Sequence, residues 1–152
     1  MEDELIVATD GSARVNPGVG GWAFIIDHPE KRYQGWGRED FTTNNRMELT
    51  GAIEALKFVV ERELLSTKEQ PLKIISDSKY LVDGFNRWLP NWTQRNWRTF
   101  NKEPVKNSDL WKQLATFKEL YNITLEWTKG HAGHELNELC DHLATQARDK
   151  KI

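Results

Sequence analysis

Five short β-prone runs, interrupted by stretches of helical periodicity, constrain this chain more than any other feature of its sequence. Three come first, with no helical pattern between them: residues 4–9 (ELIVAT), 20–27 (GGWAFIID) and 32–41. His28-Pro29-Glu30-Lys31 supplies turn chemistry between the second and third, which makes them a hairpin. Asp10-Gly11-Ser12 ends the first run and reads as a turn. The remaining runs, residues 72–76 (LKIIS) and 122–128 (NITLEWT), each follow a helical pattern. Over residues 44–65, Leu49, Ala52, Ile53, Leu56, Val59, Val60 and Leu64 recur at three- and four-residue spacing, with Asn44 or Asn45 as N-cap. Further helices are predicted over 78–89, stopped by Pro90, over 108–120, capped by Ser108, and over 135–149. Leu110, Trp111, Leu114 and Phe117 form the buried stripe of the second, and Leu136, Leu139, Leu143 and Ala147 that of the last. A hairpin followed by alternating helices and strands predicts an α/β fold with one mixed sheet covered by helices.

The sequence has no linker signature and no repeat, so its 152 residues are expected to form a single domain, 1–152, with one core. No run approaches the roughly 18 apolar residues that span a bilayer, and the acidic start is unlike a signal peptide. Cys140 is the sole cysteine and has no partner for an internal disulfide, which fits a reducing, cytoplasmic setting. With no interface pattern visible, a monomer is the default expectation.

Twenty-one Lys and Arg against 23 Asp and Glu give a formal net charge of −2, which excludes a histone-like basic coat. That number averages unlike parts. Residues 85–112 hold Arg87, Arg95, Arg98, Lys102, Lys106 and Lys112 against only Glu103 and Asp109, a local charge of +4. The same segment holds Trp88, Trp92, Trp97 and Trp111, four of the seven tryptophans. Cations interleaved with flat rings suit a polynucleotide, meeting phosphates and packing on sugars or bases. Trp88 and Trp111, at helical spacing, are expected in the core; Trp92, Arg95, Trp97 and Arg98, among polar neighbours, are expected at a nucleic-acid contact.

Asp10 and Asp77 each directly follow an apolar strand, where ligands of α/β sheets usually sit, although Asp also serves as a turn former or cap. Glu48 falls on the edge of the apolar stripe of its helix, beside Ala52, Ala55 and Val59; with Asn45 as N-cap it would instead close a capping box. Asp141 lies well round its helix from Leu136, Leu143 and Ala147, so periodicity makes it an exposed acid. Between the last strand and last helix, Lys129-Gly130-His131-Ala132-Gly133-His134 frees the backbone to present an imidazole able to carry protons near neutrality. A zinc site with Glu135 or Cys140 lacks its second ligand pair.

Five motifs in order resemble those of type 1 ribonuclease H, from Leu5 to about Arg148: Thr9-Asp10-Gly11-Ser12 with Asn16-Pro17-Gly18; Thr42-Thr43-Asn44-Asn45-Arg46-Met47-Glu48-Leu49; Ser76-Asp77-Ser78; Asn91-Trp92 through Trp97; and Lys129 through His134 with Asn137-Glu138 and Cys140-Asp141. The resemblance implies a ribonuclease H-like, five-stranded mixed sheet with an antiparallel hairpin and parallel strands. It implies that Asp10, Glu48, Asp77 and Asp141 converge on two Mg²⁺ ions, with Mn²⁺ a substitute, to cleave the RNA strand of an RNA–DNA hybrid into 5′-phosphate and 3′-hydroxyl ends. His131 would move protons or assist product release. Gly11, Ser12 and Glu48 match positions near the RNA 2′-hydroxyl, and Asn16, Asn44 and Asn45 positions at the groove edges. Thr43 and Asn107 match a DNA-phosphate pocket, and Tyr80 with Trp92 a channel along the DNA sugars. The chain departs from the family at Thr93-Gln94-Arg95 and Glu103, where many members are more basic, and at Lys79 and Phe100. The less basic protrusion implies weaker binding with a shallower salt dependence. Two other readings compete: a non-catalytic hybrid-binding module, and a DNA-acting nuclease of the same fold.

Overall fold

A computed structural model describes residues 3–129 and 134–152. Strands β1 (Leu5–Ala13), β2 (Gly18–Asp27) and β3 (Arg32–Thr42) form an antiparallel meander. Strands β4 (Leu72–Ser76) and β5 (Ile123–Trp127) extend it in parallel, giving the order β3-β2-β1-β4-β5. This is the expected five-stranded mixed sheet. Period-two alternation sends Leu5 and Val7 to one face of β1 and Ala8 to the other. The first face packs with Leu49, Ile53, Leu56 and Val59 of α1 (Asn44–Glu61) and with Trp111 and Leu114 of α4 (Ser108–Leu120). The second is covered by Leu136, Cys140 and Ala144 of α5 (Glu135–Arg148). Among the described residues, no helix is long and apolar enough to cross a membrane.

The structure corrects several local expectations. Asp10-Gly11-Ser12 is not a turn: β1 runs on to Ala13, pairing Asp10 with Ala23, Gly11 with Trp22 and Ser12 with Gly21. Its apolar pattern stops early because the strand runs on past the apolar core into a buried polar site, with Asp10 only 6 % exposed. The N-cap of α1 is Thr43, whose Oγ1 accepts the Arg46 N–H at 3.2 Å, so neither Asn44 nor Asn45 caps and no capping box engages Glu48. The same helix ends at Glu61 because Glu63 turns left-handed at φ 52°. The Leu64 and Glu63 N–H groups then return to the Val59 and Val60 carbonyls. Leu64 continued the periodicity because that motif folds it back onto the core.

Pro90 does not stop the second helix. After α2 (Lys79–Asp83) a π-helical turn spans Gly84–Trp88, and α3 (Leu89–Gln94) restarts with Pro90 in its first turn, where no intrahelical N–H is needed. Ser108 is not the cap of α4; that position is Asn107, in the left-handed region at φ 59°. Phe117 is half-buried and Trp88 is 38 % exposed, so neither is a core residue.

On α5 the buried residues are Leu136, Cys140, Ala144 and Ala147, while Leu139 is exposed and Leu143 half-buried. At 100° per residue this choice rotates the buried face by roughly 50° from the expected stripe, toward Asp141. The cause is close packing: a Cβ on Gly21 would stand 2.6 Å from the Arg148 nitrogen, so α5 lies directly on the β2 backbone. Only small residues fit that seam.

Candidate active site

The parallel register of β1 and β4 ends with Ala8 beside Ile75; two residues further along both strands come Asp10 and Asp77. There the sheet divides, β1 continuing with β2 while β4 gives way to Ser78, whose Oγ caps α2 by accepting the Leu81 N–H at 3.1 Å. The divide is the kind of strand-end crevice where α/β sheets bind ligands. Asp77 is exposed, and its carbonyl is tied down by the Trp127 Nε1–H at 3.0 Å.

Glu48 reaches the same point because Gly11 has no side chain. A Cβ there would stand 2.5 Å from the Glu48 nitrogen and collide with the Met47 backbone, so glycine lets the first turns of α1 rest on β1. The result is a cluster in which one carboxylate oxygen each from Asp10, Glu48 and Asp77 lie within 4.8 Å of one another. Asp141, half-buried on α5, also interacts with the Asp10 carboxyl.

Like charges at this spacing in a buried place disfavour ionisation. Burial, then the Asp77 charge, push the Asp10 carboxyl from 3.8 up to about 8; Asp141 acts in the same sense, and a Glu48 hydrogen bond and the Gly11 N–H at 2.8 Å pull it back. Burial, then the Asp10 and Asp77 charges, push Glu48 well above the usual carboxylate range, and it shares a hydrogen bond with Asp10. Glu48 Oε2 is buried without a hydrogen-bond partner among the described residues.

An all-oxygen cluster with an orphaned acceptor and mutual repulsion fits a hard divalent cation, which would supply the missing charge and bond. It does not fit a soft ion. Cys140 lies beneath the cluster with its thiol directed at the Ala23 carbonyl at 3.2 Å, and burial, reinforced by the carboxylates, keeps it protonated.

Around the cluster the other sequence candidates fall into two groups. On one rim, the Asn44 amide oxygen accepts the Ala13 N–H at 2.6 Å and its own N–H donates to the Asn16 side chain at 3.0 Å, tying the β1–β2 loop to the start of α1. Asn45 is exposed beside them, and Ser12 Oγ accepts a hydrogen bond from Arg148 at 3.3 Å. On the other side stands an aromatic wall. Tyr80 packs edge-on against Trp88 and Trp111, and Trp92 against Trp111 at 5.3 Å. The Tyr80 hydroxyl accepts from Trp111 Nε1 at 3.0 Å and from the Asn107 amide at 3.1 Å.

Arg46 completes this side and is absent from the sequence candidates. It donates to Asn107 at 3.1 Å and makes a fork on Asp109, whose carboxyl it holds below the usual range. Its place in the Thr42–Leu49 motif, three residues from Thr43, was the available signal. Beyond the wall, the 97–105 segment closes on an Arg98–Pro104 bridge. It carries Phe100, 83 % exposed with the exposed Arg95 of the preceding helix end over its ring, exposed Arg98, and half-buried Trp97 under Lys112. Lys79 sits over the Trp127 ring. His131, the expected proton carrier, lies outside the described residues.

The RNase H family model matches residues 2–149 of this chain. The ribonuclease H of Alcanivorax borkumensis is 44% identical over 146 residues, covering 96% of this chain and 92% of that protein. Among solved structures, LC9-RNase H1, a type 1 RNase H with the type 2 active-site motif, matches at TM-score 0.83 and 28% identity, over 100% of this chain and 75% of that one. LC11-RNase H1, solved in complex with an RNA/DNA hybrid, shares the fold at TM-score 0.70 and 24% identity, over 97% and 98% of the two chains.

Proposed function

The chain belongs to the RNase H family, and from that premise we propose that it is an endonuclease hydrolysing the RNA strand of RNA–DNA hybrids. The observation that carries this is the carboxylate cluster of Asp10, Glu48 and Asp77, with Asp141 against it, at the divide between β1 and β4. The cluster supports binding of Mg²⁺, or Mn²⁺ in its place, by all four acids. Two such ions would polarise the attacking water and offset charge on the phosphate and leaving oxygen. Water oxygen bonds to phosphorus, the P–O3′ bond breaks and the 3′ oxygen gains a proton, which leaves 5′-phosphate and 3′-hydroxyl ends.

The chain's own residues do the positioning. Asp10, held by the Gly11 N–H, and Glu48, held by the seating of α1, keep their oxygens aimed at one point. Ser12 and the Gly11 backbone face the side where a 2′-hydroxyl, donor and acceptor both, distinguishes RNA from DNA. Asn16, Asn44 and Asn45 line the groove edge. The Tyr80–Trp92 wall packs on DNA sugars, while Thr43, Arg46 and Asn107 take a DNA phosphate; Arg95, Trp97 and Arg98 grip further along. His131 moves protons or assists product release.

One gel decides it: hybrid, double-stranded DNA and double-stranded RNA of one sequence, each incubated with Mg²⁺, Mn²⁺ or EDTA, with the product ends typed. Cutting confined to the RNA of the hybrid and abolished by EDTA is expected. Metal-independent binding without cutting, or cutting of DNA, would overturn it.

A further inference from the structure

A second concentration of charge lies away from the tryptophan flank, at the far end of β1. Arg14, Arg38, Arg148, Lys150 and Lys151 line an open basin of about 390 Å³ where the C-terminal end of α5 meets the edge of the meander. Against these five cations stand Asp149 within the basin and Asp40 beside Arg38, leaving +3. The cations are held in place. Arg148 grips Asp149 at 3.0 and 3.3 Å, Arg14 meets the same carboxylate at 3.4 Å, and Arg38 Nε donates to the Arg148 carbonyl at 3.1 Å. The Arg38 and Arg148 side chains are only 27% and 19% exposed, which limits the entropy lost when they engage an anion.

Position gives the basin its meaning. Asp10 and Ser12 alternate onto one face of β1, Arg14 follows just past the strand's last residue, and the remaining Nη of Arg148 bonds Ser12 Oγ at 3.3 Å. With a strand rise near 3.3 Å per residue, Ser12 stands roughly 7 Å from Asp10 and the end of β1 at Ala13 roughly 10 Å, the basin beginning just beyond. At about 3.4 Å of helix axis per nucleotide, that interval is two to four nucleotides. Because the Arg148 fork already lies on Asp149, the anion is left to Arg38, Lys150 and Lys151, whose charge-assisted donors suit a phosphate.

We propose that this basin is a second phosphate site, taking a phosphate of the RNA strand two to four nucleotides from the scissile one, with Arg148 linking it to the Ser12 hydroxyl. The assignment of the anion to RNA rests on the hybrid-cleaving reading above; the anion site itself does not. Arg148 is then a positioning residue, coupling grip on the backbone to the hydroxyl nearest the reacting strand.

Two measurements test it. The first is the slope of log Kd against log salt for hybrid binding in EDTA, in wild type, in Arg38→Gln, and in Lys150→Gln/Lys151→Gln, whose lysines are exposed and carry no folding risk. A slope shallower by about one in each variant is expected. An unchanged slope in both overturns the site whether or not the protein cuts hybrids. The second uses hybrids bearing one neutral methylphosphonate at a known position in either strand, with every cleaved bond mapped. In wild type, cutting is expected to fall about fivefold at a bond a fixed two to four nucleotides from an RNA-strand methylphosphonate, and Arg38→Gln is expected to erase that dip. A dip that follows the DNA strand instead, or that survives in the variant, overturns the RNA assignment. A wild type that cuts no hybrid overturns the function while the salt slope still judges the basin.

Discussion

At the carboxylate cluster the backbone does the positioning, whereas on the tryptophan flank side chains position one another. Asp10, Glu48 and Asp77 meet because a glycine lets α1 touch β1 and because two strands part at one level. Tyr80, Trp88, Trp92, Trp111, Asn107 and Arg46 meet through ring contacts and hydrogen bonds between their own side chains. The first region is charged beyond what its fold can comfortably hold; the second satisfies its polar atoms internally. One region therefore spends stability on chemistry and the other contributes stability while presenting a surface. The two should answer mutation in different currencies.

The largest difference is expected from Asp10→Asn. Removing the central carboxylate should lower turnover at least ~10³-fold while leaving hybrid Kd in EDTA within twofold. In the metal-free protein the same change should raise Tm at neutral pH, since the amide folds without having to take up a proton. A variant both inactive and less stable would break the contrast.

Next is pH. The Asp10 carboxyl is at about 8 in the folded chain against 3.8 for the free group. Below 3.8 both states are protonated and the contribution is complete. As pH rises toward 8 the unfolded chain releases its proton while the folded chain keeps it, so metal-free stability falls, by on the order of 4 kcal/mol between pH 5 and 8. Denaturant melts in EDTA at pH 5 and 8 should show the loss, and Asp10→Asn should flatten it. Stability that rose over this interval would contradict the cause assigned here.

Gly11→Ala tests the seating of α1. The added methyl meets the Met47 and Glu48 backbone, so the helix must lift, costing about 2 kcal/mol and displacing Glu48. Turnover should fall more than KM rises, because the lift displaces Glu48 while Tyr80, Trp92 and Trp111 keep their contacts with one another.

These contrasts explain what the sequence could show. Periodicity located the core helices and every strand, since burial on one face leaves a repeating trace. It failed where a position is decided by a neighbour distant in the chain. Asp10-Gly11-Ser12 has the composition of a turn, and only pairing with β2 makes it strand. Asp141 looked exposed because the seam on Gly21 favours Cys140 and Ala144 over Leu139 and Leu143. Trp88 has core spacing yet belongs to the surface wall. The motifs carried the acids that periodicity could not; Arg46 stood inside one of them without a role assigned to it, and Arg148, whose partner Ser12 lies far along the chain, left no pattern to read.

On the flank, Arg95→Gln with Arg98→Gln should raise KM about fivefold with turnover within twofold, and make the salt slope shallower by one to two. Contacts to phosphates away from the reacting bond bind ground and transition states alike. A fall in turnover at constant KM would move these residues into the chemistry and erase the distinction between the regions.

The smallest effect is the sharpest discriminator within the wall. Trp111 is fully buried and its Nε1–H donates to the Tyr80 hydroxyl, which also receives the Asn107 amide. Indole nitrogen is donor only, so Tyr80→Phe strands it, costing about 1 kcal/mol of stability. Were the wall scaffold alone, cleavage by the folded variant would be unchanged. Because Asn107 also holds Arg46, loss of the hydroxyl should loosen the phosphate pocket as well, and KM should rise about threefold while turnover holds. Stability lost without any change in KM would confine the hydroxyl to folding and leave the flank's grip to its cations.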